Sequence, residues 1–274
     1  MPNKRLGQHF LTDRNILQRI VDALDPAPGD VVLEIGPGKG SLTEQLLARG
    51  LRVIAIEKDR RLAQECAVRN AEFGVERLSI VQGDALKLDW HALIEARIAI
   101  PHSALRTLHF KVVGNIPYNI TTPLLDKALA PPLPACVVFL VQKEVADRLT
   151  ARPGSKVYGA LSVGVQAQCS VARLFAVPAG AFAPRPRVTS ALVRLTPLAE
   201  PVVVPGEVPA FRAFVTACFT RRRKQLRNVV MAVTGRSAAV VTKGLESLGL
   251  DPAARPETLA PAEFARLLRW SVRL

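Results

Sequence analysis

Short apolar runs alternate with amphipathic stretches from about residue 14 to residue 150. The runs are Val31–Ile35, Arg52–Ile56, Leu78–Val81, Leu108–Val113 and Cys136–Val141. Most hold β-branched residues and end near Gly, Asp or Glu, as strands buried on both faces do. Between them, Ser41–Arg49 and Arg60–Phe73 have helical periodicity. This alternation predicts an α/β fold, a parallel sheet covered by helices on both faces with right-handed crossovers. Residues 171–196 hold two more strand-like runs around the Pro-rich loop Phe182-Ala183-Pro184-Arg185-Pro186. Pro197 to Pro209 reads as a linker, and beyond it Ala210–Phe219, Lys224–Val233, Ala238–Leu248 and Pro261–Arg269 are helical. Gly249-Leu250-Asp251-Pro252 interrupts this second pattern, and Pro261 suits a helix first turn. The predicted division is a large α/β domain over 1–198 and a small helical domain over 205–274.

Charge adds a partner class. The chain has 274 residues and a formal net charge of +14, from 37 Lys and Arg against 23 Asp and Glu. An excess of this size favours a polyanion, because cations that neutralise phosphates release condensed counterions. Residues 191–274 carry 13 Lys and Arg against 6 Asp and Glu, so the C-terminal third is the more basic part. The cysteines, Cys66, Cys136, Cys169 and Cys218, are far apart and form no C-x-x-C pair. That spacing predicts buried free thiols in a reducing compartment and no metal site. No apolar run reaches the ~18 residues that span a bilayer, and Met1-Pro2-Asn3-Lys4-Arg5 has no following apolar region. The expectation is a cytoplasmic protein without membrane contact.

The strongest local signal is Glu34-Ile35-Gly36-Pro37-Gly38-Lys39-Gly40, after a predicted strand and before a predicted helix. Glycines at 36, 38 and 40 allow a sharp turn and close approach of a ligand. G-x-G-x-G differs from the dinucleotide pattern G-x-G-x-x-G and lacks the Lys-Ser/Thr ending of a phosphate loop. The loop therefore suits a cofactor without a pyrophosphate. Glu57 ends the second strand, where a carboxylate can accept both ribose hydroxyls of a nucleoside. Gln82-Gly83-Asp84-Ala85 ends the third, where a carboxylate or amide can read an adenine amino group. All three sit at the carboxyl edge, where open sheets bind ligands.

After the fourth strand comes Gly114-Asn115-Ile116-Pro117-Tyr118, which has the (Asn/Asp)-x-Pro-(Tyr/Phe) form of amino-methylating enzymes. An adenine N6 amine is a poor nucleophile because its lone pair is delocalised into the ring. Two acceptors, the Asn115 side-chain oxygen and the Ile116 carbonyl, would hold its hydrogens and favour a pyramidal nitrogen. Pro117 restricts the backbone that aims this carbonyl. Tyr118 offers a ring on which an everted base can lie. No strong general base is required if the proton leaves after methyl transfer, so catalysis would be mostly alignment.

With these motifs in place, the chain resembles the family of small-subunit ribosomal RNA adenine dimethyltransferases from about Lys4 to its C-terminal helices. Leu6-Gly7-Gln8-His9-Phe10-Leu11 is similar to the family's opening G-Q-x-F-L, and Asn115-Ile116-Pro117-Tyr118 to its N-L-P-Y. The position of His9 is often Asn in relatives, and either side chain can hydrogen-bond. Gln142–Leu149 and Gly154–Ser162 resemble the segment after the fifth strand. Phe182-x-Pro184-x-Pro186-x-Val188-x-Ser190 looks like F-x-P-x-P-x-V-x-S. Phe219–Asn228 is similar to F-x-x-R-R-K-x-x-x-N.

The resemblance implies a Rossmann-like class I methyltransferase sheet and S-adenosyl-L-methionine as cofactor. His9, Leu11, Gly36, Gly38, Gly40, Glu57, Asp84, Ala85 and Asn115 would hold that cofactor. Asn115, Ile116, Pro117 and Tyr118 would hold the target adenine, with Phe182 closing over its other face. The implied reaction is N6,N6-dimethylation of two adjacent adenines in a 3′-terminal hairpin of small-subunit rRNA, late in subunit assembly. The implied partner is an immature small ribosomal subunit, met by a monomer.

Arg221, Arg222, Arg223, Lys224 and Arg227 are the expected RNA contacts, although five cations in seven positions cannot share one helix face. His91, His102 and His109 have no ligand spacing, and Phe10 and Phe139 read as core. The sequence does not place Trp90 or Trp270. Large-subunit rRNA methyltransferases that confer macrolide resistance use the same core, and the helical C-terminal domain favours the small-subunit group. A DNA adenine methyltransferase would need a target-recognition domain for which the chain has no room. An assembly checkpoint that binds immature subunits is compatible with catalysis as a second role.

Overall fold

A computed structural model describes residues 9–74, 76–98 and 110–272. Two compact units emerge, one of residues up to Ala146 with Ala172–Pro197, the other Asp147–Val171 with Leu198 onwards. The expected boundary near residue 198 is thus crossed by an earlier segment. The reason lies in the second unit's own core, where Ala151, Tyr158, Val163 and Ala167 pack with Phe211, Val215, Phe264 and Leu267. The Tyr158 hydroxyl donates to the Leu259 carbonyl at 2.9 Å, which closes that core with its polar tip satisfied.

The first unit begins with β1 (Phe10–Leu11) and α1 (Arg14–Asp22), then β2 (Val31–Ile35), α2 (Ser41–Ala48), β3 (Arg52–Glu57) and α3 (Arg60–Arg69). It continues through β4 (Leu78–Gln82), α4 (Trp90–Ile98), β5 (Lys111–Asn115), α5 (Thr121–Ala128) and β6 (Cys136–Gln142). Helix α6 (Lys143–Leu149), α7 (Ala160–Gln166) and β7 (Cys169–Val177) follow, then β8 (Phe182–Ala183) and β9 (Ser190–Pro197). The second unit ends in α8 (Val208–Phe219), α9 (Leu226–Thr234), α10 (Ala238–Ser247) and α11 (Pro261–Val272).

The main sheet has the order β4-β3-β2-β5-β6-β9-β7. Strands β4 to β6 pair in parallel, and β9 returns antiparallel to β6. Chain order reverses direction between β2 and β5, which opens a crevice at their carboxyl ends. The central strands are buried throughout, β2 at every residue, so their runs of Val, Ile and Leu lack polar alternation. This is the Rossmann-like sheet that the resemblance implies.

Four of the five expected strands begin at the predicted residue. The fifth, β5, starts at Lys111, and Leu108 and His109 lie outside the described residues. The predicted helix Arg60–Phe73 instead breaks at Asn70, whose φ of −108° ends α3 before a single 3-10 turn at Ala71–Phe73. Asp59 caps α3 by accepting from the Arg61 and Leu62 amides, as an N-cap carboxylate should. Phe139 is core. Trp90, which the sequence left unplaced, is buried and donates from Nε1 to the Ala85 carbonyl at 2.8 Å. Trp270 lies over Gly244 of α10 and under the Arg236 guanidinium. All four cysteines are free and buried.

Candidate active site

A cavity of about 350 Å³ opens at the carboxyl ends of β2, β3, β4 and β5, within the size range of small-molecule sites. Its walls include Gly36, Gly38, Glu57, Asp84 and Ala85 on one side and Asn115, Ile116, Pro117 and Tyr118 on the other. His9 and Leu11 line it as well. The sequence-predicted cofactor and target residues therefore converge on one pocket, with two exceptions.

Gly40 does not line the cavity. It is the N-cap of α2 with φ of +81°, and a Cβ there would meet Asn70 Nδ2 at 2.5 Å and Cys66 Sγ at 2.9 Å. The third glycine serves close packing of loop on helix, not ligand approach. Phe182 is 3% exposed and belongs to the apolar core with Leu11, opposite which it pairs. Its neighbour Ala183 takes the place at the cavity wall. Strand alternation explains the exchange, because successive residues face opposite sides.

Glu57 ties the glycine loop to the end of β3. Its Oε2 accepts from the Gly38 amide at 3.0 Å and its Oε1 from the Asp59 amide at 2.8 Å. Burial raises its pKa, and these two amides oppose the rise. Each oxygen keeps a second lone pair that can accept a further hydrogen bond. Asp84 is held below the usual carboxylate range, chiefly by the Lys58 ammonium 2.9 Å away, and its Oδ1 accepts from the Leu86 amide.

Four features of the site escaped the sequence reading. Glu34, inside β2, is 1% exposed and accepts from Thr43 Oγ1 at 2.7 Å. Burial pushes its carboxyl up to about 8, with the Glu57 charge adding to the rise. Phe10 was expected in the core, but it lines the cavity and would lie 3.0 Å from a Cβ at Gly38. Lys39 stands over the Phe10 ring. Ala183 is the fourth, reached only through the pairing of β8 with β1.

The target side is built around residue 9. Asn115 Nδ2 donates to the His9 carbonyl at 2.7 Å, which fixes the amide so that Oδ1 remains as its acceptor. The His9 ring stacks on Tyr118 with centroids 6.0 Å apart, and its Nδ1 lies 2.8 Å from the Pro184 carbonyl. Tyr118 in turn shares a 2.7 Å hydrogen bond with Ser190 Oγ, and burial raises its pKa. Pro117, at φ −57° and ψ 129°, precedes the 3-10 turn Tyr118–Ile120 that leads into α5. Leu6, Gly7 and Gln8 of the opening motif lie outside the described residues.

In the second unit, Arg221, Arg223 and Lys224 are exposed and Arg222 and Arg227 half-buried. Arg222 is turned inward, with Nη2 3.3 Å from the Ser155 carbonyl and Nε 3.7 Å from Glu257. His91 is likewise structural, its Nε2 3.0 Å from the Pro132 carbonyl. His102 and His109 lie outside the described residues. Among the described residues, no group of three or more His, Cys, Asp or Glu is placed to hold a metal ion. No helix among them is long and apolar enough to cross a membrane.

The sequence model of the family described as ribosomal RNA adenine dimethylase matches residues 2–271. Ribosomal RNA small subunit methyltransferase A of Acinetobacter baylyi is 43% identical, covering 96% of this chain and 90% of its own. The protein of the same name from Geobacter metallireducens is 42% identical, covering 99% and 96%. A dimethyladenosine transferase from Plasmodium falciparum superposes with a TM-score of 0.78 at 28% identity, covering 94% of this chain and 96% of its own. The 23S rRNA methyltransferase ErmE follows at 0.71 and 26%, covering 95% and 98%. The chain belongs to the ribosomal RNA adenine dimethylase family, and it is an S-adenosylmethionine-dependent rRNA adenine-N6 dimethyltransferase.

Proposed function

We propose that this pocket dimethylates N6 of two adjacent adenines in a 3′-terminal hairpin of small-subunit rRNA, through the residues named above. The observation that carries the residue assignment is the Asn115 amide, fixed by His9 beside a wall of glycine loop, Glu57 and Asp84. Glu57 takes the ribose hydroxyls, Asp84 and Ala85 frame the adenine of the cofactor, and Gly36 and Gly38 let it approach the loop backbone closely. S-adenosylmethionine supplies an electrophilic methyl whose departure leaves a neutral thioether. Asn115 Oδ1 and the Ile116 carbonyl accept the hydrogens of the target amine, which keeps its lone pair out of the ring and toward the methyl. Tyr118 supports the everted base, and Pro117 holds the carbonyl in line. Phe182 acts from beneath, through Ala183.

The exposed cations Arg221, Arg223 and Lys224, with Arg227 beside them, bind RNA phosphates from the second unit. The enzyme works as a monomer in the cytoplasm on an immature small subunit, a reading supported by the family and by the free thiols. Relatives at 40–43% identity that bear the small-subunit name favour this subunit over the large one.

The test is transfer from labelled S-adenosylmethionine to unmodified small subunits, large subunits and naked rRNA, followed by digestion to nucleosides and mass spectrometry. Dimethyladenosine from small-subunit material is expected, and Asn115→Ala should lower kcat at least ~100-fold, about 2.7 kcal/mol of barrier. Label in large-subunit RNA instead would overturn the substrate, and an unimpaired Asn115→Ala the mechanism.

A further inference from the structure

The stretch between Asp147 and Glu200 contains seven Lys and Arg and not one Asp or Glu. Two of those cations, Arg185 and Arg187, stand on the loop that joins β8 to β9. Among the described residues, neither makes an ion pair or a hydrogen bond, and both are exposed.

Both ends of this loop are fastened to the target side of the pocket. At its start Ala183 pairs with Phe10 and lines the cavity, and the Pro184 carbonyl meets His9 Nδ1. At its end the Thr189 carbonyl accepts from the Lys143 amide at 2.9 Å, and Ser190 Oγ meets the Tyr118 hydroxyl. Between those anchors two prolines restrict φ, so few conformations remain to be lost when the loop takes a ligand. Of residues 183–189 all but Pro186 are exposed, so Arg185 and Arg187 flank one buried proline. Two positions apart in the chain, their Cα atoms are separated by at most roughly 7 Å.

An adenine turned out of its stack into this pocket leaves its flanking phosphates at the rim. Guanidinium is the side chain best matched to phosphate oxygens, by charge and by its forked donors. We propose that Arg185 and Arg187 clamp the two phosphates that flank the everted adenine, as positioning residues for the methylated nucleotide. The clamp differs from the Arg221–Arg227 cluster in position and role. That cluster holds the body of the RNA, and the loop holds one nucleotide at the reacting centre. The inference rests on the adenine-methylating reading of the pocket.

The experiment compares wild type, the Arg185→Ala/Arg187→Ala double variant and the Arg185→Lys/Arg187→Lys double variant. Steady-state methylation of unmodified small subunits gives KM and kcat, and titration of a fluorescent adenine-containing single-stranded RNA gives the salt dependence of binding. The alanine variant should raise KM for subunits about 10-fold with kcat within about twofold and S-adenosylmethionine affinity unchanged. Its salt slope should be shallower by about 1.4, two phosphates at roughly 0.7 each for a single strand. The lysine variant should recover most of both losses. An alanine variant with the KM and slope of an active wild type would overturn the clamp alone. A lysine variant as poor as the alanine one would also overturn it, by showing that charge is not what the loop supplies. Failure of the wild type to methylate small subunits would instead strike the reading of the pocket, and the RNA titration would still decide the clamp.

Discussion

Glu34 lies within the central strand and keeps its proton where most carboxyls have lost theirs. An ordinary glutamate releases its proton near 4.5, whereas burial pushes Glu34 to about 8. Between those values the folded chain holds one proton that the unfolded chain has released. A carboxyl with a raised folded pKa contributes stability that is whole below 4.5 and fades as pH rises towards 8. The slope is one proton, about 1.4 kcal/mol per pH unit. From pH 5 to pH 7.5 the loss attributable to Glu34 is therefore about 3 kcal/mol.

Glu34→Gln removes the titration and keeps an oxygen to accept from Thr43 Oγ1. The added amide must find an acceptor in a buried site, which costs a constant amount at every pH. The slope, not the offset, is the signal. Urea denaturation of both proteins at half-unit steps should show the variant gaining on the wild type by about 1.4 kcal/mol per pH unit between 5 and 7.5. Titrating groups that are not coupled to Glu34 are common to both and cancel in the difference. Parallel stability curves across that range would refute a neutral carboxyl in β2. A difference of opposite sign would mean that Glu34 is ionised and stabilised by a cation.

Other substitutions test the packing and the target side. Gly40→Ala should destabilise the fold by about 2–5 kcal/mol, from the positive φ and from overlap with Asn70 and Cys66, read as a lowered denaturation midpoint. Gly114→Ala, whose Cβ would lie 2.7 Å from the Ile35 carbonyl, should cost at least about 2 kcal/mol and lower cofactor affinity, measured by calorimetry. Tyr118→Phe loses the hydroxyl bond to Ser190 and should reduce kcat about 2- to 10-fold, the equivalent of one ordinary hydrogen bond, with S-adenosylmethionine affinity unchanged. Arg222→Ala should lower the melting temperature slightly, by less than about 1 kcal/mol of stability, and leave the salt slope of RNA binding as it was. Arg221→Ala with Arg223→Ala should do the reverse.

The fold was legible because its strands are buried on both faces, so β2 and β6 stand out as nearly continuous apolar runs, Val-Val-Leu-Glu-Ile and Cys-Val-Val-Phe-Leu-Val-Gln. The pocket was legible because glycine loop, Glu57, Asp84 and Asn115 occupy successive strand ends, a spacing that topology alone brings together. What sequence could not give was the direction of single side chains. Phe182 and Ala183 are neighbours, and nothing local says which one faces the cavity. Arg222 and Arg223 differ in that Ser155 and Glu257, both far away in the chain, stand beside the first. The grouping of residues 147–171 with the C-terminal helices was hidden for the same reason. Tyr158 is buried by partners about a hundred residues later in the chain.

The two-residue strand β1 explains how the two walls of the cavity are kept in register. Period-two alternation sends consecutive side chains to opposite faces. Phe10 goes against Gly38 of the cofactor loop, and Leu11 goes into the core beside Phe182. His9, one residue earlier, holds the Asn115 amide with its carbonyl and Tyr118 and Pro184 with its ring. Movement of this short segment by one residue would exchange those faces and disconnect all of these contacts at once. A register error is therefore not graded, because it removes the packing of Phe10 on the glycine loop and the orientation of the Asn115 amide together. The β8 partner supplies the constraint against it, since Phe10 and Leu11 are fixed opposite Ala183 and Phe182. One strand pair thus holds both walls of the cavity in place.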